Sequence, residues 1–168
     1  MMTPPPAMPD ASPMPPPSPG PGTPDASSPM PEPPPTSTDA TLAGSITRST
    51  APRAGGRGSV YVALFDRDPV LMRDSAMRVA ETIIEGADFS NSTARYEYEV
   101  SGIPPRPEPY FVIAFLDDNG TVDPSTPALA GPDRGDLVSL EGLSSPQVTI
   151  ATPDRMSMDL DLNFSLPF

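Results

Sequence analysis

Asp117-Asp118-Asn119-Gly120-Thr121-Val122-Asp123 places three carboxylates, an amide and a hydroxyl within one short stretch. A hard cation such as Ca²⁺ takes six to eight oxygen ligands, and side chains at alternate positions around a Gly turn can converge on one. Asp117, Asn119 and Asp123 have that spacing, with the Thr121 carbonyl as a fourth ligand. Asp133 or Asp136 can close the shell from the next loop. The same letters also spell an ordinary turn, because Asn and Gly both tolerate positive φ. The stretch lacks the third acid and distal Glu of an EF-hand loop. Calcium site and plain turn therefore stand as the two readings.

Other constellations carry less. Arg134-Gly135-Asp136 is an integrin-type tripeptide, but a Gly between charged residues is also common loop material. Tyr61, Tyr96, Tyr98, Tyr110 and Phe111 can form a sugar-stacking face or pack as core and cross-strand pairs, and the second is the better fit to strand positions. Twenty-two acids always allow a pair for glycoside hydrolysis, which needs two carboxylates about 5–9.5 Å apart across a cleft. No Trp is present to floor such a cleft. With no His, Cys or Lys there is no imidazole base, thiolate nucleophile, Cys/His zinc site, Walker-type phosphate loop or Schiff base. The expectation is a protein without catalytic residues.

Charge narrows the partners. The 168-residue chain has 22 acids against 10 Arg, a net charge of −12. Four acids (Asp10, Asp25, Glu32 and Asp39) precede residue 41, which leaves 18 against 10 in the remainder. Without a basic face to release counterions, nucleic acid and anionic membranes are poor partners.

The elements that must position these residues alternate with period two. Leu42, Gly44 and Ile46 open the pattern, and Val60–Phe65 is a short apolar run rich in β-formers. Tyr96, Tyr98 and Val100 alternate with Arg95, Glu97 and Glu99, and Tyr110–Leu116 is a second continuous apolar run. Met156, Met158, Leu160, Leu162, Phe164 and Leu166 predict one long final strand with a single buried face. Leu137–Leu140 and Gln147–Ala151 are weaker strand signals. Residues 79–84 fit a strand after a loop, although Met72, Ala76, Val79, Ala80 and Ile83 also fit a helical stripe. Gly55-Gly56, Ser101-Gly102, Asn119-Gly120 and Ser144-Ser145-Pro146 punctuate the runs. About seven short strands so separated predict an all-β, antiparallel Greek-key sandwich over 41–168. An unpaired edge at Leu42–Thr47 or Met156–Leu166 would be open to a partner strand.

Residues 1–40 form a different segment. Sixteen of the 28 Pro residues lie in the first 35 positions, and Pro9-Asp10-Ala11-Ser12-Pro13-Met14-Pro15 returns imperfectly as Pro24–Pro31. Pro has no amide donor and a fixed φ, so the segment is expected to be a disordered, polyproline-II-biased stalk reaching about 120 Å when extended. The basic residue that accompanies proline-rich SH3 or WW ligands is absent there. No run nears the ~20 apolar residues of a transmembrane helix. Met1-Met2-Thr3-Pro4-Pro5-Pro6 has neither the basic nor the apolar region of a signal peptide, so a lipid anchor would require a start upstream of Met1.

Taken in order, Leu42-x-Gly44-x-Ile46, Val60–Leu64, Tyr96-x-Tyr98-x-Val100-x-Gly102-Ile103-Pro104 and Tyr110–Asp117 resemble the carboxypeptidase-regulatory-like, transthyretin-like sandwiches of bacterial secreted and surface proteins. Where that family carries Pro-x-Gly-x-Tyr, this chain has Pro104-Pro105-Arg106-Pro107-Glu108-Pro109-Tyr110, which predicts a longer turn. The resemblance implies an Ig-like, non-catalytic structural or binding module, located at the cell envelope or outside the cell. Its acidic Pro/Ser stalk resembles those following the lipid anchor of bacterial lipoproteins. The Lys-dependent isopeptide bond of some relatives is excluded by composition. The expected partner is an unidentified protein or a glycan; a carbohydrate-binding module is the alternative, and a small hydrolase a third.

Overall fold

Alternation sets Leu42 and Ile46 on one side of the first strand. In the computed structural model, which describes residues 38–123 and 131–167, both are fully buried. The described residues form ten strands and no helix. They are β1 (Ala40–Arg48), β2 (Arg57–Phe65), β3 (Arg78–Asp88), β4 (Tyr96–Ile103), β5 (Tyr110–Leu116), β6 (Leu137–Val138), β7 (Gln147–Val148), β8 (Arg155–Ser157), β9 (Leu160–Leu162) and β10 (Phe164–Ser165). Of the proline-rich stalk expected over residues 1–40, residues 1–37 lie outside the described residues, and Ala40 already belongs to β1.

Two sheets share one core. In the first, β1 lies between antiparallel β4 and the parallel pieces β8 and β9. In the second, the order is β10-β6-β5-β2-β3, with β7 also on β5. Leu42, Ile46 and Val100 from the first sheet meet Val60, Val62, Leu64, Val112, Ala114 and Leu116 from the second. The result is an all-β, two-sheet sandwich, with residues 79–84 in strand β3 as expected.

The unbroken apolar runs of β2 and β5 have a physical cause: both faces of these central strands are covered. Their inner residues fill the main core, while Tyr61, Phe115 and Val138 form a second cluster on the outer face. The Tyr61 and Phe115 rings stack at 4.9 Å between centroids and 14° between planes. Register makes this cluster a row across four strands, because Ile83 pairs with Tyr61, Tyr61 with Phe115 and Phe115 with Val138. This accounts for two runs that alternation alone could not explain.

The expected single strand over Met156–Leu166 is instead three short pieces in two sheets. Side chains interrupt it by replacing ladder groups. The Asp159 carboxylate accepts bonds from the backbone N–H and hydroxyl of Ser45, at 2.8 and 2.7 Å. The break between β8 and β9 follows at that point. Four residues later the Asn163 amide bonds both the N–H and the carbonyl of Leu140, turning the chain onto β6 in the other sheet. The alternation consequently fails at Phe164, which is exposed. Gly44 permits the close passage: a Cβ there would lie 1.9 Å from the Met158 carbonyl oxygen.

β1 is interior to its sheet, so the open edge expected at Leu42–Thr47 does not exist. The turn between β4 and β5, residues 104–109, is held by Arg106. Its guanidinium donates to the carbonyls of Asp66 (2.9 Å), Glu108 (3.2 Å) and Pro109, and lies 3.9 Å over the Tyr110 ring. The Tyr110 hydroxyl donates to Pro104 O at 2.5 Å, which closes the turn.

Candidate functional site

Strand β5 leaves its sheet at Asp117, whose N–H still donates to Ser59 O at 3.0 Å. Gly58 makes that exit possible, since a Cβ there would meet the Asp117 carbonyl oxygen at 1.9 Å. The Asp117 carboxylate then folds over the turn, accepting from Thr121 N (3.0 Å) and Val122 N (3.2 Å). Asn119 Oδ1 also accepts from Thr121 N, at 3.1 Å, and Gly120 adopts φ +71° to close the turn.

The loop carrying Asp133 and Asp136 packs against this turn. Asn119 Nδ2 donates to Asp133 Oδ1 and to the Arg134 carbonyl, both at 2.8 Å. The Thr121 hydroxyl lies 2.6 Å from Asn119 Oδ1 and 2.7 Å from Asp133 Oδ2, and its single proton serves one at a time. Asp136 is fully buried and accepts from Asp118 N (3.2 Å) and Asp133 N (3.0 Å). The structure thus brings together Asp117, Asn119, Thr121, Asp133 and Asp136, but Thr121 joins through its hydroxyl rather than its carbonyl. Asp123 acts by charge on Tyr61, helping burial raise that hydroxyl's pKa.

Asp118 is not singled out by the sequence because it falls between the alternating ligand positions. It is the cross-link between distant loops, accepting from Arg53 N (2.8 Å), Ala54 N (2.7 Å) and Gly56 N (2.5 Å). Nothing in the local letters announces partners so far back in the chain. Asp68 goes unsignalled for the same reason. Its carboxylate accepts from Val70 N (2.9 Å) and the hydroxyls of Ser144 (2.6 Å) and Ser145 (3.1 Å).

Electrostatics separate two of these groups, Asp136 and Asp68. Burial pushes the Asp136 carboxyl up to about 6, and the charges of Asp133 and Asp117 add to the rise against two backbone hydrogen bonds. Burial also raises Asp68, but the bonds from Ser144, Val70 and Ser145 outweigh it and leave the carboxyl below its ordinary value.

A calcium shell of six to eight oxygens does not fit this arrangement as it stands. Asn119 turns its N–H₂ group toward Asp133, while Asp117 and Asp136 aim their oxygens at N–H donors. Among the described residues no group of three acids is placed to hold a metal ion. The geometry is that of a hydrogen-bonded lock between loops. The integrin-type reading of Arg134-Gly135-Asp136 loses its acid to the interior, since Asp136 is 0% exposed.

The aromatic residues do not share a face. Tyr98 and Tyr110 belong to the main core, against which Tyr96 also packs, 5.0 Å from Phe89, whereas Tyr61 and, by register, Phe111 lie on the outer face of the second sheet. Exposed apolar side chains gather instead along the β2–β3 connection, at Val70, Leu71, Met72 and Met77, with Leu143 in the Glu141–Ser144 turn. A groove of about 350 Å³ lined by Leu71, Met72, Phe111 and Gln147 lies there. Among the described residues no helix is long and apolar enough to cross a membrane. No family model, curated protein or solved structure matches the chain.

Proposed function

We propose that this chain is a non-catalytic structural or binding module: an Ig-like, transthyretin-like sandwich carried on a proline-rich stalk at the bacterial cell envelope. One observation carries the reading. Asp68, Asp117, Asp118 and Asp136 are the buried carboxylates among the described residues, and each is spent on donors of the loops it joins. A general acid or a nucleophile needs a free oxygen facing a substrate cleft. These oxygens face backbone amides and serine hydroxyls, so they hold loops. The sheet order, with β1 between β4 and β8/β9 and β2 between β3 and β5, supports the sandwich the resemblance implies.

The test is a panel of glycosidase, esterase and peptidase substrates with the full chain, run beside a glycan array. The expected outcome is no turnover. Hydrolysis that disappears in Asp117→Asn or Asp136→Asn would overturn the reading. Specific glycan capture would select a carbohydrate-binding module. For location, protease added to intact cells should cleave the chain, and complete protection would remove the envelope from the proposal.

A further inference from the structure

We propose that the free edge of β3 accepts an additional β-strand from a partner protein, in a segment reading basic–x–apolar–x–basic. This rests on the domain being a binding module and specifies the chemistry of its partner.

The first observation is the edge itself. β3 is the longest strand, at 11 residues; its ladder with β2 runs without a register shift from Ala80 to Ile84, and among the described residues it pairs only with β2. An unpaired strand edge presents N–H and C=O groups at the spacing that another extended chain can bond.

The second is the row of side chains that ends there. Val138, Phe115, Tyr61 and Ile83 stand side by side on the outer face, and Ile83 is half-buried where the sheet stops. An apolar residue opposite Ile83 would continue that row, and cross-strand neighbours of this kind are the unit of sheet stabilisation.

The third is charge. Glu81 and Glu85 flank Ile83 two residues away on either side, and both are exposed. Glu81 pairs in register with Ala63, a neighbour of Tyr61 on the same face, and the Glu85 charge acts on the Tyr61 hydroxyl. The edge therefore reads acid–apolar–acid on its outer face. Arg78 lies 2.7 Å from Glu81 but is itself at the start of the strand, leaving the acidic centre at 81–85.

This pattern selects against a second copy. An antiparallel pair of β3 strands centred on Ile83 would set Glu81 opposite Glu85 twice, and like charges directly opposite are destabilising. A chain with no Lys and a net charge of −12 is better matched to a basic partner.

The probe is a capped seven-residue peptide with arginines at positions two and six, isoleucine at four and threonine elsewhere. It is titrated into the ¹⁵N-labelled full chain. Amide shifts should be confined to β3 and its neighbour β2. A matched peptide with glutamates for the arginines should bind about tenfold or more weakly. In Glu81→Arg/Glu85→Arg the preference of the two peptides should invert. Equal binding of both peptides to the natural chain would overturn the proposal, as would shifts centred on Leu71–Met77, or a dimer through β3 in sedimentation. The natural chain with the two peptides decides the matter even if the double variant fails to fold. Failure of the peptide leaves the non-catalytic reading standing, because that reading is tested by turnover.

Discussion

Asp136 shows how one buried carboxylate can make the stability of a domain depend on pH in an unusual direction. Its folded pKa of about 6 lies above the ordinary 3.8, so between these values the folded state binds more protons than the unfolded one. Stability from this group is therefore greatest below pH 4 and falls as pH rises toward 6, by about 3 kcal/mol at most. Asp68 has the opposite sign: its pKa is lowered, so its contribution is present above 3.8 and is lost as the solution becomes more acidic than that. Urea unfolding of the full chain should show stability rising on acidification from pH 7 toward 4.5. Asp136→Asn should flatten that limb. Asparagine sets an N–H₂ group against the Asp118 or Asp133 amide, so the absolute stability of the variant also drops. The diagnostic quantity is the slope, and a slope that survives the substitution would move the titration to another group.

Backbone proximity at Gly58 is a second determinant at the scale of one residue. Any side chain there would clash with a carbonyl oxygen of a neighbouring segment, which has no rotamer to escape into. Gly58→Ala should cost about 3 kcal/mol, read from the denaturant midpoint at unchanged slope. A loss under about 0.5 kcal/mol would mean that the two strands can separate freely at the exit of β5.

Among the elements, those defined by their own residues are legible in the sequence and those defined by a distant side chain are not. β2 and β5 carry enough β-branched and aromatic residues, after Gly56 and Pro109, to declare themselves, while β1 and β4 do so by the alternation of Leu42, Gly44 and Ile46 and of Tyr96, Tyr98 and Val100. β3 emerges from the competing helical stripe because its neighbours are strands. The C-terminal alternation has the cleanest strand pattern of all, yet it is broken by Asp159 reaching Ser45 and Asn163 reaching Leu140. Both partners lie far back in the chain, and by pattern alone Asp and Asn are merely the polar half of the alternation. The candidate loop is legible as a constellation for a similar reason: its turn chemistry is local, whereas the use of Asp118 as a tie to Arg53–Gly56 is not. Asp159→Ala tests this account of the broken strand. It strips an acceptor from the amide and hydroxyl of Ser45, a residue only 1% exposed, and should lower the denaturant midpoint. Faster amide exchange should appear at Ser45 and along β8 and β9. Exchange unchanged there would show that the ladder does not depend on the carboxylate.

At the scale of the whole domain, the lock joins segments that the sheets alone leave apart. Asp118 holds the β1–β2 connection, Asp136 holds the exit of β5, and the backbone of Asp136 and Gly135 bonds Leu166 beyond β10. Whether a cation takes part can be decided by heating the full chain in excess Ca²⁺ and again in EDTA. A ligand that binds only the folded state, at 100 times its dissociation constant, adds about 2.7 kcal/mol. For a domain of this size that is a rise of roughly ten degrees in the midpoint. Equal midpoints are the expected result. To coordinate calcium, Asn119 would have to turn its amide away from Asp133 and Arg134, and Asp117 would have to release the Thr121 and Val122 amides. The Asp117 bonds are to partly buried amides, and each one broken costs free energy that the metal must first replace. A ten-degree rise abolished in Asp117→Ala would show that the metal does replace them, and that the loop rearranges around it. Without that rise, the same acids act as hydrogen-bond acceptors that close one end of the sandwich.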